Sequence, residues 1–171
     1  MKIFLTNLGK YNEGELVGEW VELPLSQGEL QEVFDHIGIN EEYEEYFITD
    51  YECDLYEVGE YENIDKLNYI AEQIKELDEE KSKVVKALMS ELGYTLDEAI
   101  DKVNSGDYMI YNDCENMTDV AYQVVEECGY LENVPDNVAR YFDYESFGRD
   151  LEIAGNYIFL DGSEVIEICQ K

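Results

Sequence analysis

Nothing constrains this chain more than its charge: 42 Asp and Glu stand against 11 Lys and Arg, a formal net charge of −31. An excess of one sign opposes a compact state through self-repulsion. The chain still has the material for a core, because 45% of it is hydrophobic and 13% aromatic. That content excludes an acidic disordered tail, which has too little apolar surface to fold. The expectation is therefore a folded chain, one domain or a few small ones, with a strongly basic partner to relieve the repulsion. Duplex DNA carries about one negative charge per 1.7 Å of axis, so the excess matches roughly 50 Å of duplex.

The same balance excludes whole classes of partner. Nucleic-acid-binding proteins carry a basic patch, and here the only arginines are Arg140 and Arg149. No nucleic acid is expected as a ligand. An anionic membrane repels the chain too. The N-terminal MKIFLTNLGKYNEGE turns polar within a few residues, so no leader or membrane span is read, and the expected location is cytoplasmic.

Catalytic and metal motifs are missing from the sequence. There is no phosphate-binding glycine loop, dinucleotide fingerprint or nucleophile elbow. The single histidine, His36, falls late in an amphipathic stretch and reads as a helix-end side chain. Paired carboxylates can do acid–base chemistry, but among 42 acids the nearness of two carries no information. Cys53, Cys114, Cys128 and Cys169 form no Cys-x-x-Cys pair. With one histidine they assemble no zinc site, and they read as reduced thiols. A calcium loop starting at Asp113 has Glu115 and Asp119 in place. It fails at Met117, Thr118 and Val124, where an oxygen ligand, glycine and glutamate are needed. No catalytic residue, metal or cofactor is expected.

Periodicity and stop signals outline the elements. Residues 2–7 and 16–23 read as strands around a loop from Gly9 to Gly14, the second ended by Pro24. Ser26 and Glu29 form a capping box that opens a helix stopped at Gly38, with Leu30, Val33, Phe34 and Ile37 inside. Residues 45–55 read as a third strand, set in the acidic stretch 41–62. Helical spacing follows over 64–77 and 84–92, with a stop at Gly93. Thr95 and Glu98 open a further helix through Val103. Tyr108–Tyr111 then reads as a strand, and Val120, Ala121, Val124, Val125 and Cys128 line a helix stopped at Gly129. Pro135 suits a first helical turn, and Asp143 caps a helix to Gly155. Asn156–Leu160 and Glu164–Cys169 flank the hairpin signal Asp161-Gly162. The fold class is α+β, elongated, as three small units in a row: mixed over 1–61, helical over 62–106 and mixed over 107–171.

Charge divides unevenly among these units. Residues 1–61 hold 16 acids and 2 bases, 62–106 hold 11 and 6, and 107–171 hold 15 and 3. Glu62–Lys66, Glu79–Lys83 and Glu98–Lys102 have the favourable i, i+4 order of an ordinary solvated helix surface, as do Asp136–Arg140 and Glu145–Arg149. The outer units leave their acids unmatched. The candidate surface comprises Glu13, Glu15, Glu19, Glu22, Glu41, Glu42, Glu44, Glu45, Asp50, Glu52, Asp54, Glu57 and Glu60, with Asp113, Glu115, Asp119, Glu126 and Glu127 in the last unit. Alternate residues on a strand lie about 6.6 Å apart on one face. Acids at i and i+4 on a helix lie about 5–6 Å apart. Either arrangement offers a row of anions where an enzyme expects phosphates. The alternatives are an acidic interaction module or chaperone for a basic protein, and a solubilising halophilic surface.

Three long segments carry a resemblance. NLGKYNEGELVGEW (7–20), EEYEEYFITDYE (41–52) and ENVPDNVARYFDYESFGRDLEIAG (132–155) closely resemble the ArdA family of antirestriction proteins. The likeness runs essentially end to end, although the middle helical unit carries no matched motif. The resemblance implies inhibition of type I restriction–modification enzymes by mimicry of bent B-form DNA. It implies a gene carried by conjugative plasmids and transposons. It also implies an elongated three-domain protein that dimerises through its C-terminal domain, without catalytic residues. The family's antirestriction motif corresponds to about Glu126 through Asp150, near the implied dimer contact. Val134, Val138, Tyr141, Phe142, Asp143 and Tyr144 are the residues it places there.

Overall fold

Alternation along Lys2–Asn7 produces the central strand β1, with Ile3 and Leu5 fully buried on one face. It is followed by α1 (Leu8–Asn12), β2 (Gly18–Glu22), α2 (Gln27–Ile37), β3 (Tyr46–Glu52) and α3 (Ile64–Lys75). The computed structural model describes residues 1–160 and 162–169. Their contacts form two compact units, Met1–Ser82 and Lys83–Lys171.

In the first unit the strands pair antiparallel in the order β2-β1-β3. Ile3, Leu5, Val21 and Ile48 supply the inner face of the sheet, Leu30, Val33 and Ile37 come from α2, and Ile64, Leu67 and Ala71 come from α3. Helix α3 thus completes the N-terminal core. The capping box holds: Ser26 N–H donates to Glu29 Oε2 at 2.8 Å, and Glu29 N–H donates to Ser26 Oγ at 3.3 Å. The Ser26 hydroxyl, donating to Glu29 Oε2 at 2.6 Å, and then the Ser26 N–H hold the Glu29 carboxyl below its usual range. Gly38 ends α2 at φ 77°, a conformation that glycine adopts without a Cβ penalty.

Two expectations in this unit are corrected. The Gly9–Gly14 loop begins as helix α1, because the Asn7 side chain caps it: Lys10 N–H donates to Asn7 Oδ1 at 3.0 Å. The third strand is shorter than 45–55. It ends at Glu52, and Glu41–Glu45 form a loop ahead of it. There Asn40 Oδ1 accepts the N–H groups of Glu42 and Tyr43 at 2.8 and 3.1 Å, which bends the backbone out of a strand.

The second unit runs from within α4 (Glu79–Leu92) through α5 (Leu96–Asn104), β4 (Tyr108–Tyr111), α6 (Met117–Glu127), α7 (Asp136–Ala139), α8 (Tyr144–Ala154), β5 (Asn156–Leu160) and β6 (Glu164–Ile168). Its strands are antiparallel in the order β4-β6-β5. The β5–β6 hairpin forms, with Leu160 opposite Glu164. Of its expected turn pair, Gly162 lies at φ 94°, while Asp161 lies outside the described residues. Thr95 and Glu98 form the second capping box, and bonds from Thr95 hold the Glu98 carboxyl low. The fold is mixed α+β, as expected.

The few cations serve the fold. Lys66 Nζ meets Glu62 at 2.6 Å, as its spacing suggests. Lys83 instead reaches Glu164 at 2.7 Å, and Lys102 donates to the Cys169 carbonyl at 2.7 Å. Arg149 pairs with Glu145 at 3.6 Å. Helix α7 ends before Arg140, so the i, i+4 geometry toward Asp136 is not continued.

Helices α6 and α8 pack together at Gly148, which is buried and where a Cβ would run into the Met117 carbonyl. We expect Gly148→Val to destabilise this unit by about 3 kcal/mol, since backbone is what must move. A lower urea midpoint with unchanged slope checks it.

Candidate acidic interface

Of the eighteen acids singled out in the sequence, sixteen are exposed, and Glu19 and Asp119 are half-buried. They fall on distinct supports. Glu19 and Glu22 lie on β2, and Asp50 and Glu52 on β3. Glu13 and Glu15 follow α1. Glu41, Glu42, Glu44 and Glu45 occupy the loop before β3, and Asp54, Glu57 and Glu60 the segment after it. Asp113 and Glu115 precede α6, Asp119 sits in its first turn, and Glu126 and Glu127 end it.

Some of these carboxylates are already engaged. Glu13 accepts from the Tyr43 hydroxyl at 3.1 Å, Glu15 lies 3.8 Å from Lys10, and Glu52 lies 3.5 Å from Lys2. Glu19 meets His36 Nδ1 at 3.2 Å. Asp119 accepts the Glu115 N–H at 2.9 Å, turning inward the carboxylate a calcium loop would need. Among the described residues no group of three or more His, Cys, Asp or Glu could hold a metal ion. The Glu41, Glu42, Glu44 and Glu45 carboxylates make no ion pair or hydrogen bond among the described residues.

This free loop rests on an anchored backbone. Tyr43, in its middle, packs its ring against Gly9, where a Cβ would collide with it, and Lys10 Nζ lies 4.8 Å from the ring centre. The Tyr43 phenol is pushed up chiefly by its bond to Glu13, then by burial and by the charges of Glu13, Glu42 and Glu15. Carboxylates from two loops therefore act on one phenol. Lys10 and Tyr43 are the supports that charge counting missed. Their signal was the pairing of NLGK with a tyrosine inside the acidic run.

The second unit places its residues differently. Asp143 caps α8, accepting the Ser146 N–H at 3.0 Å, and that bond holds its carboxyl low. Tyr144 stacks on Tyr122 with centroids 3.7 Å apart, and Phe142 packs edge-on against Tyr144 and Phe147. Val134 is half-buried, whereas Val138 and Tyr141 are 54% and 81% exposed. The motif thus mixes residues that hold α8 in place with residues presented outward. Among the described residues no helix is long and apolar enough to cross a membrane.

A family model described as antirestriction protein (ArdA) matches residues 3–165. The chain belongs to the ArdA family. The ArdA match takes in every acid of the candidate surface, from Glu13 to Glu127, and the segment through Tyr144. No curated protein matches the chain.

Proposed function

We propose that this ArdA-family chain blocks type I restriction–modification enzymes as a DNA mimic, its carboxylates taking the places of phosphates in the DNA-binding groove of the methyltransferase core. The observation that carries the reading is the anchored loop of Glu41, Glu42, Glu44 and Glu45, four carboxylates without partners among the described residues on a backbone fixed by Asn40 and Tyr43. A surface meant only for solubility has no need of a fixed frame. Phosphate-binding grooves are built from Lys and Arg, and charge-assisted contacts to those groups do not distinguish carboxylate from phosphate by sign.

In this reading the acids of 1–61 and 107–171 flank the helical 62–106, and the protein works without turnover in the cytoplasm. It acts as a homodimer joined through the C-terminal unit, where Tyr141, Val138 and Ile153 are exposed. The gene travels on conjugative plasmids or transposons, which it protects on entry.

Competition of the intact protein against DNA for purified type I methyltransferase tests the reading. DNA release in proportion to added inhibitor is expected, and undiminished DNA binding at excess inhibitor sinks it. The inhibitory complex should weaken steeply with salt, because exposed charges are screened over about 10 Å at 0.1 M. Its salt slope, from titrations at several ionic strengths, should nevertheless be shallower than that of DNA, which releases condensed counterions.

A further inference from the structure

An antiparallel sheet with one solvated face normally turns polar side chains outward. The N-terminal sheet sets a strip of aromatic rings among them. Opposite its core, Phe4 and Trp20 face each other across β1 and β2, in register and packed edge-on with centroids 5.4 Å apart. Phe47, in register with Thr6, lies on the same outer face. Its ring carries Tyr11 at 5.1 Å and Tyr61 at 6.1 Å. Trp20, Tyr11 and Tyr61 are 43%, 50% and 71% exposed, so each offers ring surface to a partner.

Carboxylates border this strip. Glu22 and Glu52 sit in register on either side of Lys2, and Asp50 is in register with Phe4. Lys2 is the face's strand lysine and leans to Glu52 at 3.5 Å, leaving Glu22 and Asp50 unpaired by any cation among the described residues. Exposed ring faces beside carboxylates in excess of the local cations suit one chemistry. A guanidinium stacks flat on an aromatic ring while its N–H groups reach a neighbouring carboxylate.

We infer that the open face of the N-terminal sheet binds arginine side chains of a basic protein surface, through the Trp20 and Tyr61 rings and the carboxylates beside them. This rests on the proposed function in taking that surface to be a DNA-binding groove, and deepens it: the contact includes ring stacking that a phosphate backbone cannot offer. Aromatic sheets also bind single-stranded nucleic acid, but through positively charged grooves, and residues 1–61 hold 16 acids against 2 bases. A second copy of the same face is repelled for the same reason.

Trp20 is the single tryptophan, so its emission reports on this face in the unmodified, full-length protein. Titration with oligoarginine should change that emission saturably, with binding about fivefold tighter than to oligolysine of equal length. Followed by anisotropy of labelled peptide, the Trp20→Leu/Tyr61→Leu double variant should bind oligoarginine about tenfold more weakly. Tyr69→Leu, an exposed tyrosine of α3, should leave binding unchanged. Circular dichroism confirms that the variants are folded. The inference is overturned if saturating oligoarginine leaves the emission unmoved, if the folded double variant binds like the parent, or if single-stranded DNA moves the emission instead. Oligoarginine binding at Trp20 by a protein that leaves type I methyltransferase on its DNA supports this face while removing the DNA-mimic reading. Competition without any Trp20 response removes the face and leaves that reading intact.

Discussion

Changing Glu41, Glu42, Glu44 and Glu45 together to glutamine is expected to lower inhibition of a type I enzyme by about thirtyfold, while any one of these changes costs about fivefold at most. Exposed ion pairs are each worth about 1 kcal/mol or less, and a partner with many cations shifts easily from one carboxylate to the next. Four losses in one loop leave only the already engaged Glu13 and Glu15 close by to compensate. Glutamine keeps the side-chain volume, and none of the four carboxylates makes a hydrogen bond or ion pair among the described residues, so the fold is untouched. The measurement is the concentration for half-maximal displacement of DNA from purified methyltransferase, with thermal melting as the control for folding. If one single substitution abolishes inhibition in a folded protein, recognition depends on a specific contact, and the distributed surface is wrong.

Asn7→Ala is expected to cost the N-terminal unit about 3 kcal/mol of stability through its lost hydrogen bonds. Asn7 is fully buried. Its Nδ2 donates to the carbonyls of Ile37 and Gly38 at 3.1 Å each, while its Oδ1 caps α1 through Lys10 N–H at 3.0 Å. Alanine leaves the α2 terminus without a donor and α1 without a cap, and a buried polar group left unpaired is costly. Against a total stability of about 5–15 kcal/mol, that is a large share. Chemical denaturation followed by Trp20 emission reads the loss in the N-terminal unit. A variant within about 0.5 kcal/mol of the parent would show that water replaces the asparagine amide.

Much of this architecture was legible because its signals are local. Both capping boxes, Ser26 with Glu29 and Thr95 with Glu98, lie within one helical turn, and so does the Gly38 stop. Helix α1 was not legible, because its start depends on a buried Asn7 held by the far end of α2. The sequence overstates the third strand because acids and tyrosines alternate well beyond Glu52, whereas the strand ends where pairing with β1 ends, at Lys2. The spacing of Lys83 and Lys102 points to partners one helical turn away, but their long side chains reach the distant Glu164 and Cys169. The acids were identifiable by count alone, since exposure is the default for a charged side chain. Tyrosine is as often core as surface, so the outward aromatics were hidden until the register of Phe4, Trp20 and Phe47 was known.

The carboxylates of the 41–45 loop, unpartnered among the described residues, bear on how such proteins diverge. An acid that holds nothing internally can become aspartate, move by one position or reappear on a neighbouring loop while the field it contributes survives. The residues that cannot drift are the uncharged ones beneath: Asn7 with its three hydrogen bonds, Gly9 under the Tyr43 ring, and Gly148 against the Met117 carbonyl. Lineages of this fold should therefore lose alignment first in the exposed acids and last in the small neutral side chains beneath them.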